Sequence, residues 1–278
     1  MTNVATQVTS VELKNGKKMK LIGRNEFFVK AKAALIHFLL SILIASVAAY
    51  VFFSIWFPYP YSEVSGGRNL FWIVMGVDVC CGPLLTFVLF SIKKSRKELV
   101  LDLGLVAVIQ LVALCYGIYT VMLARPVYLV FEVDRMRVIA LADVLVEELP
   151  FAKPEFKTIS LFSGPKIIAA QLPDGNDKDF MRTFDLAMQG MDISSRPQYW
   201  IPYSEKIAEI LKRAKSLNDL KLKNPQKTSL ISVAAKEAGV AEAELVYLPM
   251  QSRNFFDWVV LLKEKDAKVV GFVHADGF

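Results

Sequence analysis

Residues 70–92 read LFWIVMGVDVCCGPLLTFVLFSI, a run of twenty-three positions with a single charge, Asp78. At about 1.5 Å per helical residue the run reaches about 34 Å, enough to cross a hydrocarbon core of about 30 Å. Two similar blocks flank it. Ala33–Phe57 has no charged residue, and Leu99–Ala124 carries Asp102 near its start and no further charge before Arg125. The pattern predicts three transmembrane helices at 33–57, 70–92 and 99–124, forming a membrane module over 33–124. The first apolar run is longer than the core of a signal peptide and ends in Phe57-Pro58-Tyr59-Pro60 without a small-residue cleavage pattern. It reads as a retained anchor.

The formal charge of +6 resembles a nucleic-acid signal until it is divided by position. The first 123 residues carry twelve Lys/Arg against six Asp/Glu, whereas residues 124–278 carry twenty-one of each. The excess sits before the first helix (Lys14, Lys17, Lys18, Lys20, Arg24, Lys30, Lys32) and between the second and third (Lys93, Lys94, Arg96, Lys97), while the loop PYPYSEVSGGRN has only Arg68. Short basic loops stay in the cytoplasm. A cytoplasmic basic segment 1–32, an inner-membrane module and a periplasmic domain 125–278 follow, with no nucleic-acid partner expected and lipid as the surroundings of the helices. Met19 is an alternative start that keeps enough basic residues to hold this orientation. All three cysteines, Cys80, Cys81 and Cys115, fall in the spans, so the exported domain relies on a packed core and not on disulfides.

Arg125-Pro126 ends the third helix and leads directly into VYLVFEV and MRVIAL, two β-rich segments with a turn at Asp134-Arg135. This is the candidate junction between membrane and domain. TISLF (158–162) and KIIAAQL (166–172), divided by Ser163-Gly164-Pro165, are expected to continue an antiparallel sheet, and DWVVLLK with KVVGFVH to form a hairpin. Phe180, Phe184, Ala187 and Met188 lie on one helical face, with Gly190 as the left-handed stop. Ile207, Ile210, Leu211, Ala214 and Leu217 predict a second helix capped by Ser204, and 227–239 a short third. The fold expected is a three-helix membrane module followed by an α+β domain.

Catalytic vocabulary is missing: two histidines, His37 and His274, lack neighbouring ligands, and no nucleophile elbow, phosphate loop or zinc motif occurs. Neither an enzyme nor a cofactor or metal site is expected. The Asp174–Asp179 stretch reads as a turn before a helix, and Glu147-Glu148 as a solvated turn. Asp78 differs, because a carboxyl within a span costs about 2.5–3.5 kcal/mol on insertion scales. In a hairpin of the second and third helices, residues whose numbers sum to about 191 lie at equal depth, bringing Gln110 and Tyr116 within reach of Asp78. Gly82-Pro83, one turn on, frees backbone carbonyls and permits close approach. Asp78, Gly82, Pro83, Gln110 and Tyr116 are therefore either glue between the two helices or a contact offered to another protein's membrane helix. Asp102, near the cytoplasmic end of the third helix, is expected to serve as an anchor, reaching headgroups or pairing with Lys94 or Lys97.

IHFLLSILI, WFPYPY, GVD…GPLLTFVLF, LDL…IQL…YG, ARPVYLVFEVDR, GMDISSRPQYWIPY and YLP before DWVVLL together resemble the type IV pilin accessory proteins of the TfpX/TfpZ type. The likeness spans most of residues 30–278 and involves no catalytic motif. It implies an inner-membrane factor that binds or stabilises the major type IV pilin and promotes or modulates pilus assembly. A membrane-anchored periplasmic sensor acting through a separate partner is the alternative reading.

Overall fold

The computed structural model describes residues 11, 12, 18, 19, 24–175 and 179–278, so much of the basic N-terminal segment lies outside the described residues. Three helices are long and apolar enough to span a membrane: α1 (Arg24–Val51), α2 (Gly67–Leu89) and α3 (Arg96–Ala124). Each begins before its apolar run. Helix α3 starts at Arg96 because Ser95 and Glu98 form a capping box, in which Glu98 N donates to Ser95 Oγ at 3.2 Å and Ser95 N donates to Glu98 Oε2 at 3.0 Å. Helix α1 widens at its end into a π-turn, Phe52–Trp56, closed by Phe57 N donating to Phe52 O at 2.7 Å. There the Phe52 ring stacks on Phe57 with centroids 4.3 Å apart and meets Phe71 at 4.7 Å. Gly67 opens α2 because a Cβ at that position would overlap the Phe57 ring.

The chain divides into two compact units. One comprises Trp72–Ile118 with the chain up to Ala48; the other comprises Ala49–Phe71 and Tyr119–Phe278. The second unit is a mixed α/β domain, and it takes in the loop between α1 and α2: Tyr61 and Val64 lie in its core, and Ser252 Oγ donates to Val64 O at 2.5 Å.

The domain's sheet contains β1 (Pro126–Glu132), β2 (Arg135–Ala140), β3 (Lys166–Ala170), β4 (Trp200–Pro202), β5 (Lys215–Ser216), β6 (Leu245–Gln251), β7 (Trp258–Lys263) and β8 (Val269–Val273). Its order is β8-β7-β6-β2-β1-β3-β4, with β5 pairing β6. The β1–β2 and β7–β8 hairpins are antiparallel, as the sequence predicts. The β1–β3 and β2–β6 pairs are parallel.

Two expectations fail here. Residues 158–162 form no strand, and β3 runs parallel to β1, because the chain between β2 and β3 crosses over through 3-10 turns at 141–143, 146–151 and 154–156 instead of turning back. The predicted helix over 204–217 is split into α5 (Ile207–Arg213) and α6 (Leu217–Lys223). Lys215 and Ser216 leave the helix to pair with Tyr247 and Val246, and Ser216 then caps α6 by accepting from Asp219 N at 3.1 Å. Helices α4 (Phe180–Met188) and α7 (Thr228–Glu237) form where expected, and Gly190 follows α4 at φ 84°.

Every residue of β1 is buried, because both faces of the sheet are covered. Leu129 and Phe131 pack with Met136, Leu248 and Ile210 on one face; Tyr128 and Val130 pack with Phe156, Ile168 and Trp200 on the other.

Candidate functional site

Helices α1, α2 and α3 line an open cavity of about 240 Å³ whose polar lining comes from His37, Ser41, Asp78 and Gln110 within otherwise apolar walls. The α2–α3 register is the one that equal depth requires: a Cβ at Gly117 would overlap Val74, and one at Gly82 would overlap the Gln110 amide. Gly82 is thus the socket for Gln110. Gln110 Nε2 then donates to the Asp78 backbone carbonyl at 3.3 Å. That contact adds a donor in the stretch where Pro83 withdraws one from the helix.

The Asp78 carboxyl does not make the contact expected of it. Its Oδ2 is buried and finds no hydrogen-bond partner among the described residues, since Gln110 is engaged by the backbone. Tyr116 is 71% exposed on α3, away from that role. Beside the cavity, His37 Nδ1 and Thr86 Oγ1 lie 2.6 Å apart, a link between α1 and α2 that sequence spacing alone does not reveal. Lys94 Nζ meets Asp102 Oδ2 at 2.5 Å and also caps Leu89 O at 2.9 Å. Chemically, the cavity presents a carboxyl oxygen able to bond a polar group brought in by another helix.

At the junction, Arg125 is fully buried beneath the end of α3. Its Nη2 donates to Ser160 O at 2.8 Å, its Nη1 to Ser163 O at 3.1 Å and Leu161 O at 3.4 Å, and its guanidinium lies 5.9 Å from the Trp56 ring centroid. Burial pulls its pKa below the usual arginine value. Pro126 opens β1 and pairs with Ala140.

Sequence reasoning missed the domain's main polar network. Glu148, expected in a solvated turn, is 2% exposed, because Arg196, itself fully buried, binds both its oxygens: Nε at 3.1 Å to each, and Nη2 at 2.6 Å to Oε1. Arg196 also donates to Thr183 Oγ1 at 2.5 Å and pairs with Asp179, which further accepts from Gln198 Nε2 at 2.6 Å and Tyr199 OH at 2.8 Å. Burial pushes the Asp179 carboxyl up, but these donors outweigh it and hold its pKa below the ordinary value. Pro197 supplies the local cause: it keeps Arg196 extended, at φ −105° and ψ 102°. Nearby, Arg137 pairs with Glu132 and Asp192, and Trp200 Nε1 donates to Ser194 O at 2.8 Å. The GMDISSRPQYW segment is thus a buried brace of the fold.

The family profile described as "Fimbrial assembly protein FimB" matches residues 25–66. "Fimbrial assembly protein, serogroup I" from Dichelobacter nodosus is 38% identical over 258 residues, covering 92% of this chain and 99% of the relative. "Fimbrial assembly protein, serogroup E1" from the same organism is 37% identical with the same coverage. The serogroup C1 and C2 protein is 45% identical over 131 residues, 47% of this chain and all of the relative. No solved structure matches the chain.

Proposed function

Since this chain belongs to the fimbrial assembly protein FimB family, we propose that it acts in pilus assembly as a non-catalytic inner-membrane accessory factor of the TfpX/TfpZ type. Its partner in this reading is the major type IV pilin, held in the membrane before assembly. The observation that carries the reading is the three-helix cavity with the unpaired Asp78 oxygen. A buried polar atom left without a partner is costly within one protein and useful to a second one that supplies the missing hydrogen bond. Apart from His37, Ser41 and Gln110, the remaining lining is apolar, which suits a guest membrane helix.

Asp78 tests this. Such intramembrane hydrogen bonds contribute about 1–2 kcal/mol, or about five- to thirtyfold in binding. Asp78→Leu should leave the protein abundant and inserted while lowering pilin co-purification by that factor; Asp78→Asn should lower it less. Normal pilin capture by both variants removes the cavity from the mechanism.

Orientation follows from the basic residues, Lys93, Lys94, Arg96 and Lys97 holding the α2–α3 turn in the cytoplasm. Reporter fusions after Ser95 should behave as cytoplasmic and fusions after Gly190 as periplasmic. A cytoplasmic signal at Gly190 would place the α/β domain on the wrong side for any contact with exported pilin.

A further inference from the structure

The loop over residues 157–164 turns Ile159 toward the core but presents Leu161 and Phe162 outward, 47% and 83% exposed. Its backbone is fastened to the ends of two membrane-length helices. Trp56, the last residue of the first helical span, donates from Nε1 to Leu161 O at 2.8 Å. Arg125, directly after the last residue of the third span, donates to Ser160 O, Leu161 O and Ser163 O. Gly164 passes so close to the end of α1 that a Cβ there would lie 3.1 Å from Ile55 O.

We propose that this loop is an additional membrane anchor, with Leu161 and Phe162 inserted into the lipid interface beside the ends of the first and third spans. The hydrogen bonds set its depth, because tryptophan and arginine at span ends lie at headgroup level. They also bond the carbonyls of Ser160, Leu161 and Ser163 from the protein side, which lowers the cost of moving the loop toward lipid. The three carbonyls are bonded as above, while Phe162 N donates to Ser160 Oγ at 3.2 Å and Ser163 Oγ donates to Ser160 O at 3.1 Å. Exposed Lys157 and Lys166 bracket the apolar tip in sequence, the arrangement that suits anionic headgroups around a buried wedge. The inference rests on the helices crossing a bilayer and is independent of any contact with pilin.

The test uses the full chain with Cys80, Cys81 and Cys115 replaced by alanine, reconstituted in phosphatidylethanolamine–phosphatidylglycerol vesicles. A nitroxide is attached through Phe162→Cys, through Val108→Cys on the outer surface of α3, or through Leu222→Cys, 80% exposed on the domain. Collision rates with oxygen, which partitions into lipid, and with a water-soluble nickel chelate are then compared. The oxygen-to-nickel ratio at position 162 should exceed that at 222 severalfold and approach that at 108. A ratio at 162 equal to that at 222 places the loop in water and overturns the proposal. Low access to both reagents shows a protein surface covering the loop and overturns it equally. A water-like ratio at 108 would overturn the membrane crossing itself, and the anchor with it.

Discussion

Replacing Arg196 by methionine is expected to lower the stability of the α/β domain by about 3–5 kcal/mol, the usual consequence of removing one partner of a buried ion pair. The loss comes from what remains behind. Glu148 keeps its burial and loses the guanidinium that bonds both its oxygens, and Thr183 loses its donor at the same time. Arg182 approaches Glu148 at 3.6 Å but is over half exposed, so it offers weak compensation. Asp179, partly exposed and still bonded to Gln198 and Tyr199, suffers less. Replacing both residues, Arg196→Met with Glu148→Leu, should recover much of the loss, since an apolar pair of similar volume avoids the stranded charge. Urea unfolding of the detergent-solubilised full chain, followed by tryptophan fluorescence, gives the comparison; Trp200 lies within this region, bonded to Ser194. A single variant within about 0.5 kcal/mol of the parent would mean that the network is decorative.

The three spans were legible because membrane crossing demands only length and apolarity, which a sequence displays directly. Their ends were not, because a helix starts at its cap and not where it becomes greasy; Ser95 and Glu98 carry that signal outside the apolar run. Glu148 was misread since two adjacent glutamates resemble a solvated turn, and its partner lies 48 residues away. The one available clue was arginine before proline in a stretch rich in aromatic and small polar residues. TISLF looks like a strand because its apolar residues sum to a β-rich run, yet Ile159 serves the core while Leu161 and Phe162 turn outward. Asp78 stands out in the sequence by its cost in a span, but no sequence rule tells that Gln110 bonds its carbonyl and not its carboxyl.

Arg125→Ala should have the second largest effect, and a more local one. Hydrogen bonds from a charged donor contribute about 1.5–3 kcal/mol each, and Arg125 makes three, of which the one to Leu161 is long at 3.4 Å. Once the loop opens, its freed carbonyls reach water, which replaces part of what is lost, so a net loss of about 2–4 kcal/mol is expected in the free energy of opening the loop. Trp56 and the close approach of Gly164 to Ile55 then hold the segment alone. Lysine is no substitute, since a single ammonium cannot reach carbonyls on both sides of the turn as the planar fork does. Exposed Lys157 and Lys166 flank the loop and are sites for trypsin. When opening is rapid compared with cleavage, the cleavage rate follows the open population, so 2 kcal/mol corresponds to about thirtyfold faster cutting. Detergent-solubilised Arg125→Ala should therefore be cut at these lysines at least about thirtyfold faster than the parent, with Arg125→Lys between them and little change in global unfolding. Equal cleavage rates would show that the guanidinium does not hold the loop, leaving the burial of Arg125 to packing beneath Trp56.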